Sequence, residues 1–154
     1  MKEDIDDIDR RLLNRLMRQG RATWADLAEE LGLTAPAIAQ RVRRLEDRGI
    51  IRQFAAWVAP EAVAPVSAYV SVALNGANHQ PFREGVSALD SVQECSYLAG
   101  ADEYLLKVRC RSLAELEHLV SHNLRHLPGV MRATPSVVLS TVKDSPVLPM
   151  GGIQ

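Results

Sequence analysis

The sequence predicts an α+β protein in two parts: three short helices in the first third, then strands and helices in the order βαββαβ. Three observations predict it. Apolar residues recur at helical spacing at Ile8, Leu12, Leu13 and Leu16, at Trp24, Leu27, Ala28 and Leu31, and at Ile38, Val42 and Leu45. A seam rich in alanine follows, bounded by Pro60 and Pro65. Beyond it, β-branched alternating runs such as VSAYVSVAL (66–74) take over.

Length and composition bound the answer. At 154 residues there is room for one ordinary domain or two small ones, and 47% hydrophobic content supports a packed core. Eighteen Lys and Arg stand against 19 Asp and Glu, a formal net charge of -1, which excludes a polycation that holds nucleic acid by bulk charge. Local patches survive that balance. Residues 1–9 are acidic, whereas 41–52 are rich in arginine. Cys95 and Cys110 have no metal-ligand spacing, so neither a metal nor a cofactor is expected. The opening MKEDIDDIDR reads as neither signal nor transit peptide, and no apolar run approaches the roughly 20 residues of a membrane span. A cytoplasmic protein with no membrane partner is the expectation.

The first helix ends before Gly20. Thr23 caps the second, with Asp26 placed to complete a capping box. Gly32 stops it, and Leu33 fills the corner. Thr34 caps the third helix, Pro36 sits in its first turn where no amide donor is missed, and Gly49 ends it. IIRQFAAWV (50–58) then reads as a strand. Two short helices joined by a Leu-Gly-Leu-Thr corner, with a helix before and a strand after, form a winged helix-turn-helix.

What the third helix shows to solvent decides its use. At about 100° per residue, Pro36, Gln40, Arg43, Arg44 and Asp47 lie opposite the Ile38, Val42 and Leu45 stripe, with Arg41 and Arg48 on its flanks. Guanidinium forks pair with phosphates or guanine edges, and Gln bridges adenine N6 and N7. Ala35 and Ala37 permit close approach, and the amides after Thr34 suit a phosphate. An arginine-rich face is ordinarily only solvated; its coincidence with the second helix of the corner points to DNA. Arg41, Arg48 and Arg52 are expected to grip phosphates, with Asp4, Asp6, Asp7 and Asp9 facing away from the duplex.

In the second part, VSAYVSVAL (66–74) is a strand, PFREGVSALD (81–90) a helix, and SVQECSYL (91–98) and EYLLKVRC (103–110) a hairpin. SLAELEHLVSHNLRHL (112–127) is a helix capped by Ser112, with Leu113, Leu116, Leu119, Val120, Leu124 and Leu127 inward. A last strand is expected at about 135–142. This is the ferredoxin-like order, with helices on one face of the sheet. Tyr69 and Ala73 on the other face predict a second copy there. The expected divisions are 1–50 for DNA binding, 51–64 as connecting strand and linker, 65–143 for effector binding and assembly, and 144–154 as a flexible tail. His118, His122 and His126 line an outer helix face, and both cysteines are expected in core or interface.

IDDIDRRLLNRL, LAEELGLTAPAIAQRVRRLEDRGII, LAGADEYLLKV and LRHLPGV, in that order over residues 5–143, resemble the Lrp/AsnC (leucine-responsive/asparagine regulator) family of transcription regulators. The resemblance implies a DNA-reading helix at Ala35 to Asp47. It implies a homodimer that assembles further, commonly to an octamer. It also implies an amino-acid effector held between C-terminal domains. The family's G-x-x-D-Y loop falls on Gly100, Ala101, Asp102, Glu103 and Tyr104, and late-strand pocket positions fall near Ser136, Val137 and Val138. Glu103 stands where the pattern has Asp. A carboxylate there is expected to meet an effector's amino group, one methylene further out.

The expected function is therefore a sequence-specific regulator whose assembly or DNA affinity responds to a small molecule. No nucleophile–base pair, phosphate-cradling glycine loop or zinc pattern is present, and an enzyme is not expected. The rival is a sirohaem-decarboxylase-like tetrapyrrole enzyme subunit, which shares both halves but needs cationic and histidine side chains around a large cleft.

Overall fold

The computed structural model describes residues 5–101 and 103–151. It divides into two compact units. One comprises residues up to 58 together with those from 143 onward, and the other comprises 59–142.

The first unit is built on three helices, α1 (Asp7–Arg18), α2 (Trp24–Leu31) and α3 (Ala35–Asp47). Asp6 caps α1, its side chain accepting from the Asp9 amide at 2.7 Å. Thr23 and Asp26 close a reciprocal capping box on α2, and Gly32 ends it at φ 67°, a conformation that suits glycine. Thr34 accepts from the Ala37 amide to start α3. Leu12, Leu27, Ile38 and Leu45 are fully buried where the three helices meet. Each such side chain contributes roughly 1.5–3 kcal/mol. Arg15 pairs with Glu30 at 2.8 Å and ties α1 to α2.

Two expectations for this unit are corrected. Residues 50–58 form no strand. The amides of Ile50 and Ile51 instead donate to the Leu45 carbonyl, folding the chain over the end of α3, and 53–58 run on without regular structure. A strand needs a neighbour to complete its ladder, and none lies there among the described residues. The tail was expected to fray, yet it returns to this unit. Met150 packs against the helical core, and the Leu148 amide donates to Met17 Sδ at 3.4 Å.

The second unit is a four-stranded antiparallel sheet in the order β2-β3-β1-β4, with β1 at Val66–Leu74, β2 at Val92–Leu98, β3 at Glu103–Cys110 and β4 at Val130–Val137. Register pairs Val70 with Leu106 on one side and Pro135 on the other. Ala68, Val70, Val72, Leu106 and Val108 point to one face and are buried under α4 (Gln80–Ser87) and α5 (Leu113–His118). At Gly85 of α4 an added Cβ would fall 2.4 Å from Leu127 Cδ2, so glycine permits this close packing.

Two boundaries differ from expectation. The last strand starts at Val130 rather than 135. The helix after Ser112 is α-helical only to His118, then widens into a π-type turn (Leu119–Asn123) and tightens into a 3₁₀ turn (Leu124–His126). Leu113, expected inward, is exposed in its first turn. Cys110 is buried, whereas Cys95 lies exposed on β2. On the uncovered face Tyr69, Ala73, Leu98 and Leu105 share the surface with Ser71, Ser96, Lys107, Thr134 and Ser136, so apolar and polar side chains are mixed there rather than forming a bare apolar face.

Candidate nucleic-acid interface

The surface of α3 follows from its helical phase. Ile38, Val42 and Leu45 face the core; Pro36, Gln40, Arg43 and Arg44 are exposed. Thr34 is exposed at the cap, with Ala35 and Ala37 partly so. Arg48 is half-buried at the end of the helix, and Arg52 is exposed on the segment that follows.

The arginines are not equivalent. Arg41 Nη1 donates to Asp6 Oδ2 and to Asp9 Oδ1, both at 2.7 Å, and its side chain is only 23% exposed. Arg44 Nη2 donates to Asp9 Oδ2 at 2.8 Å, while the side chain remains 49% exposed. Asp9, 1% exposed, is thus gripped by two guanidinium groups from 32 and 35 residues later. Burial raises the Asp6 carboxyl, but the Arg41 hydrogen bond, the Asp9 amide and the two positive charges outweigh it. Asp6 therefore ionises below the ordinary carboxylate range.

The expectation that the α1 acids simply face away from the reading surface is corrected. Two of them, Asp6 and Asp9, hold its arginines. The signal was present: Asp9 stands on the same helical stripe as Leu12, Leu13 and Leu16, so it is the charged member of a buried face. Asp4 lies outside the described residues.

The residues assigned to an effector fall into two groups. Ala101 and Gly100 are exposed at the β2–β3 turn, beside Glu103 and Tyr104; Asp102 lies outside the described residues. Ser136 and Val137 end β4, and the Val138 amide donates to the Ser67 carbonyl at 2.8 Å. Tyr104 is opposite Val72 and Val137 is opposite Ala68, so the groups are separated by four residues of β1, about 13 Å along the strand, and by two strand spacings of roughly 4.8 Å each. Within one chain they do not meet.

Glu103 lies on the uncovered face, where its carboxylate accepts from Arg132. Tyr104 points the other way and is buried. Its hydroxyl accepts from Arg83 Nε at 2.9 Å and lies 3.2 Å from His79 Nδ1. With the Tyr104 proton donated to Nδ1, His79 Nε2 carries the hydrogen that meets the Gly76 carbonyl at 3.1 Å. Phe82 and Tyr97 complete the ring cluster. Sequence reasoning assigned neither Arg83 nor Tyr97, because no local spacing joins them to Tyr104.

The remaining candidates bear no such arrangement. His118, His122 and His126 are exposed, and the first two rings stack at 4.6 Å. Among the described residues no three His, Cys, Asp or Glu side chains cluster to hold a metal. A cavity of about 190 Å³ between the ends of α4 and α5 is lined by Asp90, Glu115, His118 and Asn123, and by none of the predicted site residues. Among the described residues no helix is long and apolar enough to cross a membrane.

A capped, close-packed corner that offers arginine and glutamine from its second helix is the reading head of a DNA-binding protein. Comparison with known proteins agrees. Residues 5–46 match the AsnC-type helix-turn-helix domain, and 67–148 match the Lrp/AsnC ligand binding domain. The leucine-responsive regulatory protein of Escherichia coli K12 is 35% identical over 147 residues, covering 93% of this chain and 90% of that protein. Its Haemophilus influenzae counterpart is 35% identical over 145 residues, covering 92% and 87%. A solved Neisseria meningitidis transcriptional regulator in complex with L-Met superposes with a TM-score of 0.89 at 31% identity, covering 96% of this chain and 98% of that one. The feast or famine regulatory protein of Mycobacterium tuberculosis, complexed with L-methionine, gives 0.82 at 35% identity, covering 92% and 96%. The chain belongs to the Lrp/AsnC family of DNA-binding transcription regulators.

Proposed function

We propose that the chain binds duplex DNA through α3 and that a small molecule, an amino acid, bound by the sheet unit, changes how copies assemble or how tightly they hold DNA. The observation that carries the reading is the exposed Gln40, Arg43 and Arg44 row, opposite a fully buried stripe on the second helix of the corner. Thr34, Ala35, Pro36 and Ala37 form the end of α3 that approaches a phosphate, and Arg48 and Arg52 serve the backbone. Arg41, turned into Asp6 and Asp9, supports the helix first and any phosphate second.

Effector recognition is assigned to Gly100, Ala101, Asp102, Glu103 and Tyr104, with Ser136, Val137 and Val138 joining only from another copy. The separation of the two groups supports that arrangement, as do the L-methionine complexes of two solved relatives. The protein acts as a homodimer or larger assembly in the cytoplasm and performs no catalysis. The exposed positions of His118, His122 and His126 favour this over a tetrapyrrole enzyme.

Duplex enriched from a random pool by the wild-type chain provides the test. Arg44→Ala is expected to weaken binding at fixed salt by about 1–3 kcal/mol. Failure of the wild type to enrich any sequence refutes the reading.

A further inference from the structure

The α1 carboxylates sort the arginines of the reading helix by role. Asp9 is the buried charge among the described residues, and both its oxygens are taken: Oδ1 by Arg41 and Oδ2 by Arg44. Its amide is tied in turn to Asp6 Oδ1, whose other oxygen holds Arg41. Arg41 is therefore clamped from both sides, with one nitrogen shared between two acids. Arg44 is held by Nη2 alone, and the rest of its guanidinium has no partner among the described residues.

A guanidinium anchored at one nitrogen loses rotamer freedom before DNA arrives. Its remaining N–H groups then project in a fixed fork, which is what bidentate recognition of a guanine edge requires. An untethered arginine on the same face, such as Arg43, reaches base edges and phosphates alike. We propose that Asp9 is a positioning residue that converts Arg44 from a general phosphate contact into a base reader, and so sets sequence specificity rather than overall affinity.

This inference rests on the DNA reading, and it predicts a split that mere loss of structure does not produce. Asp9→Asn removes one negative charge from the reading unit. Binding to non-specific duplex is then unchanged or stronger, because repulsion of phosphate falls. Binding to the wild-type-enriched sequence weakens, because the Arg44 fork is no longer fixed. A misfolded head loses both together.

The experiment measures both affinities of the full-length chain at several salt concentrations, for wild type and Asp9→Asn, with melting curves beside them. The expected result is a fall in the specific-to-non-specific ratio on the order of tenfold, and loss of that effect when Asp9→Asn is placed on Arg44→Ala. If Asp9→Asn melts below the assay temperature, Asp9→Glu takes its place: it keeps the charge but moves the carboxylate that anchors Arg44 by one methylene, and the same fall in the ratio is expected with non-specific binding unchanged. An unchanged ratio in the folded variant overturns the proposal. A wild-type chain that enriches no sequence removes the DNA reading beneath it.

Discussion

At the scale of single residues, the side chains that matter most are those with a buried or shared charge. Arg41→Ala leaves Asp9 with one cationic partner in place of two and is expected to lower stability by about 1–3 kcal/mol. Denaturant unfolding checks this, and an unaltered midpoint contradicts it. Acid acts on the same contacts. Asp6, Asp26 and Glu115 all ionise below their ordinary values of 3.8, 3.8 and 4.5. For Asp26 the Thr23 hydroxyl and amide are responsible, and for Glu115 the amide and guanidinium of Arg111. A carboxyl whose folded pKa is depressed stabilises the fold above its unfolded pKa and loses that contribution as pH falls through the folded one. The melting midpoint is therefore expected to be insensitive to these groups from pH 8 to about 5 and to drop below about 4. A drop confined to pH 7–5 would assign acid sensitivity to other groups. The sequence made Gln40, Arg43 and Arg44 legible, since an exposed face follows from helical phase. The role of Asp9 was hidden because its partners are 32 and 35 residues away, although its place on the apolar stripe marked it.

At the scale of elements, what was legible was what local chemistry decides. Thr23 with Asp26, Thr34 with Pro36, and the glycines at 32 and 49 fix the ends of α2 and α3 by capping and left-handed backbone, so these boundaries follow from neighbours in sequence. Gly32→Ala is expected to destabilise the first unit by about 1 kcal/mol through its positive φ alone, because no atom lies within 4 Å of an added Cβ. Thermal unfolding measures this, and a neutral or stabilising change would show that the corner relaxes. What was not legible depends on partners distant in sequence. Residues 50–58 have the composition of a strand but no ladder neighbour among the described residues. The tail contains two prolines and two glycines, a fraying composition, yet Met150 finds an apolar site on the helical core. The π-type turn at Leu119–Asn123 departs from a periodicity that reads as one unbroken helix.

At the scale of the whole molecule, the sheet order came directly from the alternation of strands and helices, since short connections and one-sided helices leave few topologies. The effector residues did not come together, because the family loop and the late-strand positions lie at opposite ends of the sheet. At least a homodimer is expected. Phe54, Trp57 and Val58 stand exposed on the segment that has no ladder partner among the described residues, and this agrees with it. Light scattering at micromolar concentration is expected to give twice the chain mass or more, and a monomer contradicts it. An amino acid that binds the folded protein at 100 times its dissociation constant adds roughly 2.7 kcal/mol, so a melting screen across the twenty amino acids is expected to single out one or a few. The central claim is that the outward face of α3 reads DNA, and Arg43 tests it most directly because it is exposed and outside the Asp9 network. The measurement is the affinity of Arg43→Ala for the wild-type-enriched duplex at fixed salt. The account predicts binding weaker by about 1–3 kcal/mol with an unchanged melting midpoint; full affinity in that variant contradicts it.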